Sequence, residues 1–235
     1  MESALYLIPV TLGDTPVEYA LPLRNIEIIR QLKYFIVENR RSAIRFLRKT
    51  DTSIAIDALT FFEMNEHTDE KEVGGYLEPL NAGEAIGLLS EAGCPGVADP
   101  GSCAVALAHE RHFRVIPLVG PSSIILSMMA SGFNGQNFAF NGYLPPKPQE
   151  RAQALRRLEQ KLKREHQTQI FIETPYRNKK MLESILSVCA PDTRLCIAAG
   201  ITCPSELIQS KTIAEWKKSK LPELEKVPAI FLLYR

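Results

Sequence analysis

Glycine, proline and carboxylates crowd one short stretch of this 235-residue chain: SEAGCPGVADPG, residues 90–101, holds three glycines and two prolines together with Glu91 and Asp99. Such a composition continues neither a strand nor a helix, because glycine is conformationally loose and proline lacks a backbone N–H. An apolar run, AIGLLS at 85–90, leads into it. A shaped loop at the carboxyl end of a strand is therefore expected, the place where open α/β sheets bind ligands. There, backbone amides and carbonyls approach a ligand closely, and the two carboxylates could hold a ribose or an amino group. An ordinary surface turn has the same composition, and composition alone leaves both readings open.

Other reactive residue types are scattered. Cys94, Cys103, Cys189, Cys196 and Cys203 show no CxxC or Cys/His spacing, so they read as reduced core thiols and no metal site is expected. His67, His109, His112 and His166 stand among polar residues without ligand spacing and read as surface histidines. The stretch 149–165 carries Arg151, Arg156, Arg157, Lys161, Lys163 and Arg164, and Arg177, Lys179 and Lys180 follow it. On one face these cations would bind phosphates. With Glu150, Glu159 and Glu165 interleaved they equally describe a solvated helix, and few aromatics accompany them for base stacking.

The elements that must position these residues follow from apolar periodicity. The first half alternates short apolar runs at 4–9, 34–37, 58–62, 85–90 and 115–119 with amphipathic stretches near 25–31, 42–49, 70–80 and 104–110. That predicts five strands with helical crossovers, a doubly wound parallel sheet. Within 42–49, Ile44, Phe46 and Leu47 are expected to point inward. PLVGPSS at 117–123 breaks both periodicities and suits a hinge, which divides the chain into domains 1–119 and 120–235. Beyond it, helices are predicted at 124–131, 149–165 and 179–188, and strands at 138–143, 168–173, 195–199 and 229–234.

The totals agree with this division. Hydrophobic residues make up 45% and charged residues 23%, a balance that fills buried cores and excludes long disorder. A formal charge of +1 advertises no global attraction to nucleic acid, so an RNA contact would need a local patch. Glu2 stands where a signal peptide would carry positive charge, and no apolar run reaches the roughly 18 residues of a membrane span. The expected compartment is the cytoplasm, with no membrane partner.

Four ordered blocks carry a family resemblance. SEAGCPGVADPG at 90–101, VGPSS at 119–123, FNGYLPP at 140–146 and ETPYR at 173–177 are similar, in order and spacing, to blocks of the tetrapyrrole methylase superfamily. They resemble in particular the branch that methylates a ribose 2′-hydroxyl of small-subunit ribosomal RNA. The resemblance implies two α/β domains, an N-terminal one with a parallel sheet and a C-terminal one with a mixed sheet, and S-adenosylmethionine in the cleft between them. Carried over residue by residue, it assigns the cofactor to Pro9, Glu91, Gly93, Pro95, Val97, Asp99, Ser122 and Ser123. From the second domain it adds Glu173, Thr174, Pro228 and Ala229. It also implies a homodimer, which the sequence permits, with Met128 and Met129 of the second-domain helices offered by the sequence itself as apolar contact residues.

The acceptor side departs from the branch. PVTLGDTP at 9–16 replaces a longer turn, and Glu38, Asn39, Arg40 and Arg41 replace an EDTR element. Phe62, Glu63, Met64, Asn65 and Glu66 stand where the branch has HEHNE, and Tyr176 where it has histidine. Three imidazoles, the groups best suited to proton exchange near neutrality, are thus missing. Glu38, Arg41, Tyr176 and Arg177 are the expected catalytic candidates, with Glu63, Asn65 and Glu66 beside them. Arg40, Arg41 and Arg177 are expected to place phosphates; an Arg177 packed against Glu173 would instead support the cofactor pocket. The sequence leaves three readings: an S-adenosylmethionine-dependent methyltransferase for ribosomal or other RNA, one for a small molecule such as a tetrapyrrole, and a non-catalytic RNA- or protein-binding module that keeps the pocket.

Overall fold

Parallel strands covered by helices on both faces read as continuous apolar runs, and LYLI, YFIV and IGLL are such runs. In the computed structural model, which describes residues 1–65 and 67–235, they form the centre of the first of two compact units, Met1–Ser122 and Ser123–Arg235. Glu66, named above on the acceptor side, lies outside the described residues.

The first unit runs β1 (Leu5–Ile8), α1 (Leu23–Ile29), β2 (Tyr34–Val37), α2 (Arg40–Thr50), β3 (Thr60–Glu63), α3 (Glu70–Tyr76), α4 (Glu78–Asn81), β4 (Ile86–Leu89), α5 (Ser102–Glu110) and β5 (Val115–Pro117). The sheet order is β3-β2-β4-β1-β5, with every pair parallel. Side chains alternate across it, so Ile8, Phe35 and Val37 belong to one core layer and Leu5, Ile36 and Ile86 to the other. Register then places the site. Leu89 of β4 pairs with Ile8 on one side and Val37 on the other, so Pro9, Glu38 and Ser90 leave the sheet side by side.

Two of the boundaries that differ from the sequence reading bear on glycine and proline. The helix expected over 70–80 breaks at Leu77, after Gly74 and Gly75, and Pro79 opens α4, where its missing N–H costs nothing. The strand expected to reach 119 stops at Pro117; the Leu118 N–H still donates to the Leu7 carbonyl at 3.0 Å, and Gly120 and Pro121 follow outside the sheet.

The second unit contains α6 (Ser123–Ser131), β6 (Phe138–Tyr143), α7 (Pro148–Glu165), β7 (Thr168–Glu173), α8 (Asn178–Val188), β8 (Arg194–Ala199), β9 (Leu207–Thr212), α9 (Ile213–Lys218) and β10 (Ala229–Tyr234). Its sheet, β6-β7-β10-β8-β9, is mixed: β6 and β7 are parallel and the other neighbours antiparallel. Phe171, Phe231 and Trp216 anchor its core, and the Trp216 indole N–H donates to the Leu195 carbonyl at 2.9 Å. Sequence periodicity missed β9 and α9. LIQSKT is a half-buried edge strand with apolar side chains only at its start, and α9 has six residues. Met128, expected as a surface contact, is 6% exposed, whereas its neighbour Met129 is 74% exposed.

Candidate functional site

The loop after β4 has the shaped backbone its composition predicts. Gly93 and Gly96 adopt φ of 74° and 78°, and Ala98 follows at 58°, a left-handed conformation that L side chains rarely tolerate. Strain of this kind concentrates at ligand sites, and here neighbours hold it in place. Asp99 Oδ1 accepts the N–H groups of Gly96 and Gly101, both at 2.7 Å, while Ser90 Oγ donates to the Gly93 carbonyl at 2.8 Å. Val10 and Gly93 exchange backbone hydrogen bonds of 2.9 and 3.2 Å, which tie the loop to the exit of β1. A Cβ on Gly93 would meet Leu12 at 3.1 Å and the Pro121 carbonyl at 3.3 Å. Gly93 and Pro95 are therefore buried parts of the loop's frame, and Glu91 and Val97 are its exposed members.

Two further candidates belong to this frame. Pro9 is buried, and a Cβ on Gly120 would fall 2.3 Å from its ring, so the glycine of VGPSS allows that segment to pass beside β1. Ser122 ends the first unit and Ser123 opens α6 in the second.

Carboxylates gather at the ends of β2 and β4. Glu38 is half-buried, and burial, reinforced by the nearby charges of Asp99 and Glu91, pushes its carboxyl up to about 7; a bond from the Glu91 backbone N–H partly opposes this. Burial also raises Asp99 above the usual carboxylate range, against the pull of its two backbone N–H bonds. Glu91 Oε1 accepts the Ser42 hydroxyl at 2.5 Å, which fastens the loop to the first turn of α2. Arg41, next to Ser42, is exposed.

Two cavities open along the loop, both within the first unit. One, of about 400 Å³, is lined by Asp99, Pro100 and Cys103 together with Met64, Asn65 and Thr68. The other, of about 360 Å³, lies between residues 10–14 and α2, where Ser42, Arg45, Phe46 and Lys49 face Ser90 and Glu91. Ser42, Arg45, Lys49, Thr68 and Cys103 escaped sequence reasoning. For α2 a signal existed, since Arg41, Arg45 and Lys49 recur at i, i+4 and i+8.

In the second unit, β-pairing gathers the other candidates. Ala229, the first residue of β10, pairs with Glu173, the last of β7, and the exposed Pro228 precedes it. Arg177 donates from Nε at 2.8 Å and Nη2 at 2.7 Å to one oxygen, Oε1 of the buried Glu173, and the Thr174 N–H adds a third bond at 2.7 Å. Glu173 Oε2 is buried with no hydrogen-bond partner. Tyr176 is 85% exposed. Among the described residues no group of three or more His, Cys, Asp or Glu could hold a metal ion, and no helix is long and apolar enough to cross a membrane.

Comparison with known proteins adds the relatives of this arrangement. No protein-family model matches the chain. Ribosomal RNA small subunit methyltransferase I of Vibrio cholerae serotype O1 is 28% identical over 211 residues, covering 90% of this chain and 69% of that protein. For other proteins of that name, the matched share of their own length runs from 55% to 77%. The crystal structure of the methyltransferase CobJ aligns with a TM-score of 0.65 at 16% identity, over 99% of this chain and 94% of that one. Uroporphyrin-III C-methyltransferase from Thermus thermophilus, crystallised with S-adenosylhomocysteine, aligns with a TM-score of 0.53 at 16% identity, over 99% and 97% of the two chains.

A parallel five-stranded unit followed by a mixed five-stranded one is thus the fold shared with these methyltransferases. Its sequence relatives include ribosomal RNA small subunit methyltransferases I of several bacteria, which the chain resembles over most of its own length.

Proposed function

We propose that the chain is an S-adenosylmethionine-dependent methyltransferase acting on RNA, at a ribose 2′-hydroxyl of small-subunit ribosomal RNA or a related site. The observation that carries this is the strained, self-fastened loop after β4 with Glu38 poised beside it. Relatives at 27% to 28% identity that bear the ribosomal RNA methyltransferase name support the acceptor class.

The residues present fit the cofactor. A cavity of about 400 Å³ at Asp99 and Pro100 falls within the volume range of small-ligand sites, and Glu173 Oε2 is a buried acceptor without a partner. In this reading Glu91, Val97, Asp99 and the backbone around Gly93 and Pro95 hold the cofactor in the first unit, with Pro9, Ser122 and Ser123 framing the loop. In the second unit Glu173, Thr174, Pro228 and Ala229 are the residues that the family resemblance assigns to the cofactor. When bound, the cofactor supplies a methyl carbon already activated by a neutral thioether leaving group. The protein's own task is to align the acceptor oxygen and exclude water.

Glu38 receives the hydroxyl proton as the carbon–oxygen bond forms. A carboxyl titrating near 7 stands in the range that the missing imidazoles would have occupied. Arg177 acts through Glu173 as a positioning residue, and the exposed Tyr176 is left for the acceptor. The protein works as a homodimer in the cytoplasm, with Ile125 and Met129 of α6 as apolar contacts.

Two measurements test the reading. Calorimetry should detect S-adenosylhomocysteine binding at micromolar levels, and silence at millimolar ligand would remove the cofactor. Mass spectrometry of small-subunit ribosomal RNA from cells lacking the protein should reveal one missing ribose methyl group. Unchanged RNA would turn the assignment toward a small-molecule acceptor.

A further inference from the structure

α2 is a surface helix with a one-sided charge. Of its eleven residues, RRSAIRFLRKT, five are cationic and none is acidic. Ala43 and Leu47 face the core, and at 3.6 residues per turn Arg41, Arg45, Arg48 and Lys49 share the opposite, exposed arc. Only the last turn gains from this, where Arg48 and Lys49 complement the helix dipole. Arg40 and Arg41 stand in the first turn, against the helix dipole, and Arg41 with Arg45 and Arg45 with Lys49 are like-charge neighbours at i, i+4.

The surrounding carboxylates neutralise the arc only in part, through Asp14, which bonds Lys49 and whose charge also reaches Arg45. Asp51 is held by Arg30 Nε at 2.5 Å and by the Ser53 N–H at 2.8 Å, and Glu91 takes the Ser42 hydroxyl. Asp14 pairs with Lys49 at 2.7 Å, while among the described residues no ion pair engages Arg41, Arg45 or Arg48. The same face opens onto the cavity of about 360 Å³, where Arg45 and Lys49 stand across from residues 10–14 and beside Ser90 and Glu91. Unpaired cations thus run from the surface to the head of the ligand loop. α7 differs: Glu150 and Glu165 lie among its exposed cations.

We propose that this face of α2 binds the phosphodiester backbone of RNA, with Arg41, Arg45 and Arg48 as the phosphate contacts and the cavity beside Arg45 receiving the acceptor nucleotide. The inference rests on the RNA reading above and goes beyond it by naming the surface. With a net charge of +1, the attraction must come from such a local patch.

The test is the salt dependence of binding to small-subunit ribosomal RNA transcribed in vitro. Each phosphate contact to a single strand contributes about 0.7 to the slope of log affinity against log salt, so the Arg41→Ala/Arg45→Ala/Arg48→Ala variant should lower that slope by about 2. S-adenosylhomocysteine affinity and the thermal midpoint should stay at wild-type values. A triple Arg→Lys variant should keep the slope, and an α7 control, Arg156→Ala/Arg157→Ala/Arg164→Ala, should leave it unchanged.

An unchanged slope in the α2 alanine variant, beside a wild type that binds RNA, overturns the inference and spares the RNA reading. An equal fall in the α7 control, or loss of cofactor binding in the α2 variant, also overturns it. Weakened binding to intact small ribosomal subunits with naked RNA unaffected would assign the face to a protein and overturn it too. A wild type with no salt-dependent RNA binding would end both.

Discussion

Glu38 takes its chemistry from residues far away in the chain, Asp99 and Glu91, which the register of β2 and β4 brings to its side. Its carboxyl titrates near 7 in the folded protein and at 4.5 without that environment, so between these values the folded state binds a proton that the unfolded state has released. Stability contributed by this group is therefore lost as pH rises through that window. Glu38→Gln removes the ionisation. The variant's melting temperature should gain on the wild type between pH 5 and pH 8, and a constant difference across that range would contradict the assignment. Methyl transfer by the wild type should rise through pH 7 to a plateau, and the variant should be slower by roughly 100-fold, the low end of general-base effects. The sequence named Glu38, yet its titration was not legible there. For Arg177 the contact with Glu173 stood as one of two readings, and the two bonds to Glu173 decide for it; for Ser42 nothing in sequence announced its partner Glu91, which belongs to another crossover.

At the scale of elements, legibility followed burial. The three central strands of the first unit are apolar on both faces, so short runs such as YFIV and IGLL announced them. β9 pairs on one side only and keeps Gln209, Ser210 and Lys211, so no period marked it. α9 did leave a mark, because Thr212 and Glu215 form a capping box whose T-x-x-E spacing is readable in sequence. The loop at 90–101 was visible through its glycines and prolines, but its fastening was not. Asp99, read as a ligand carboxylate, spends Oδ1 on the Gly96 and Gly101 N–H groups. Asp99→Ala should destabilise the protein by about 1–3 kcal/mol, as those donors lose their partner. It should also weaken S-adenosylhomocysteine binding, because the loop then has to be ordered on binding. Asp99→Asn keeps a carbonyl oxygen in place and should restore most of both losses in paired thermal and calorimetric measurements. Equal affinity in all three proteins would show that the loop's fastening plays no part in cofactor binding.

For the whole molecule, the division into two units of similar size gives each its own sheet and core, and the apolar surface they leave exposed bears on assembly. α6 packs on the second sheet through Ser127, Met128 and Ser131, which are buried. Ile125 and Met129, one turn apart, are 47% and 74% exposed and form a small apolar ridge. A symmetric dimer would cover that ridge with its own copy, since a two-fold interface pairs a patch with itself. Sedimentation velocity at micromolar protein should then give a single species of twice 26.3 kDa. Met129→Glu should shift it to the monomer, because two carboxylates would meet where two thioethers had packed. The variant's melting temperature measured at high dilution should match the wild type's under the same conditions, because Met129 is not part of the unit's core. A wild type that sediments only at 26.3 kDa, or a dimer that Met129→Glu leaves intact, would remove α6 from the interface.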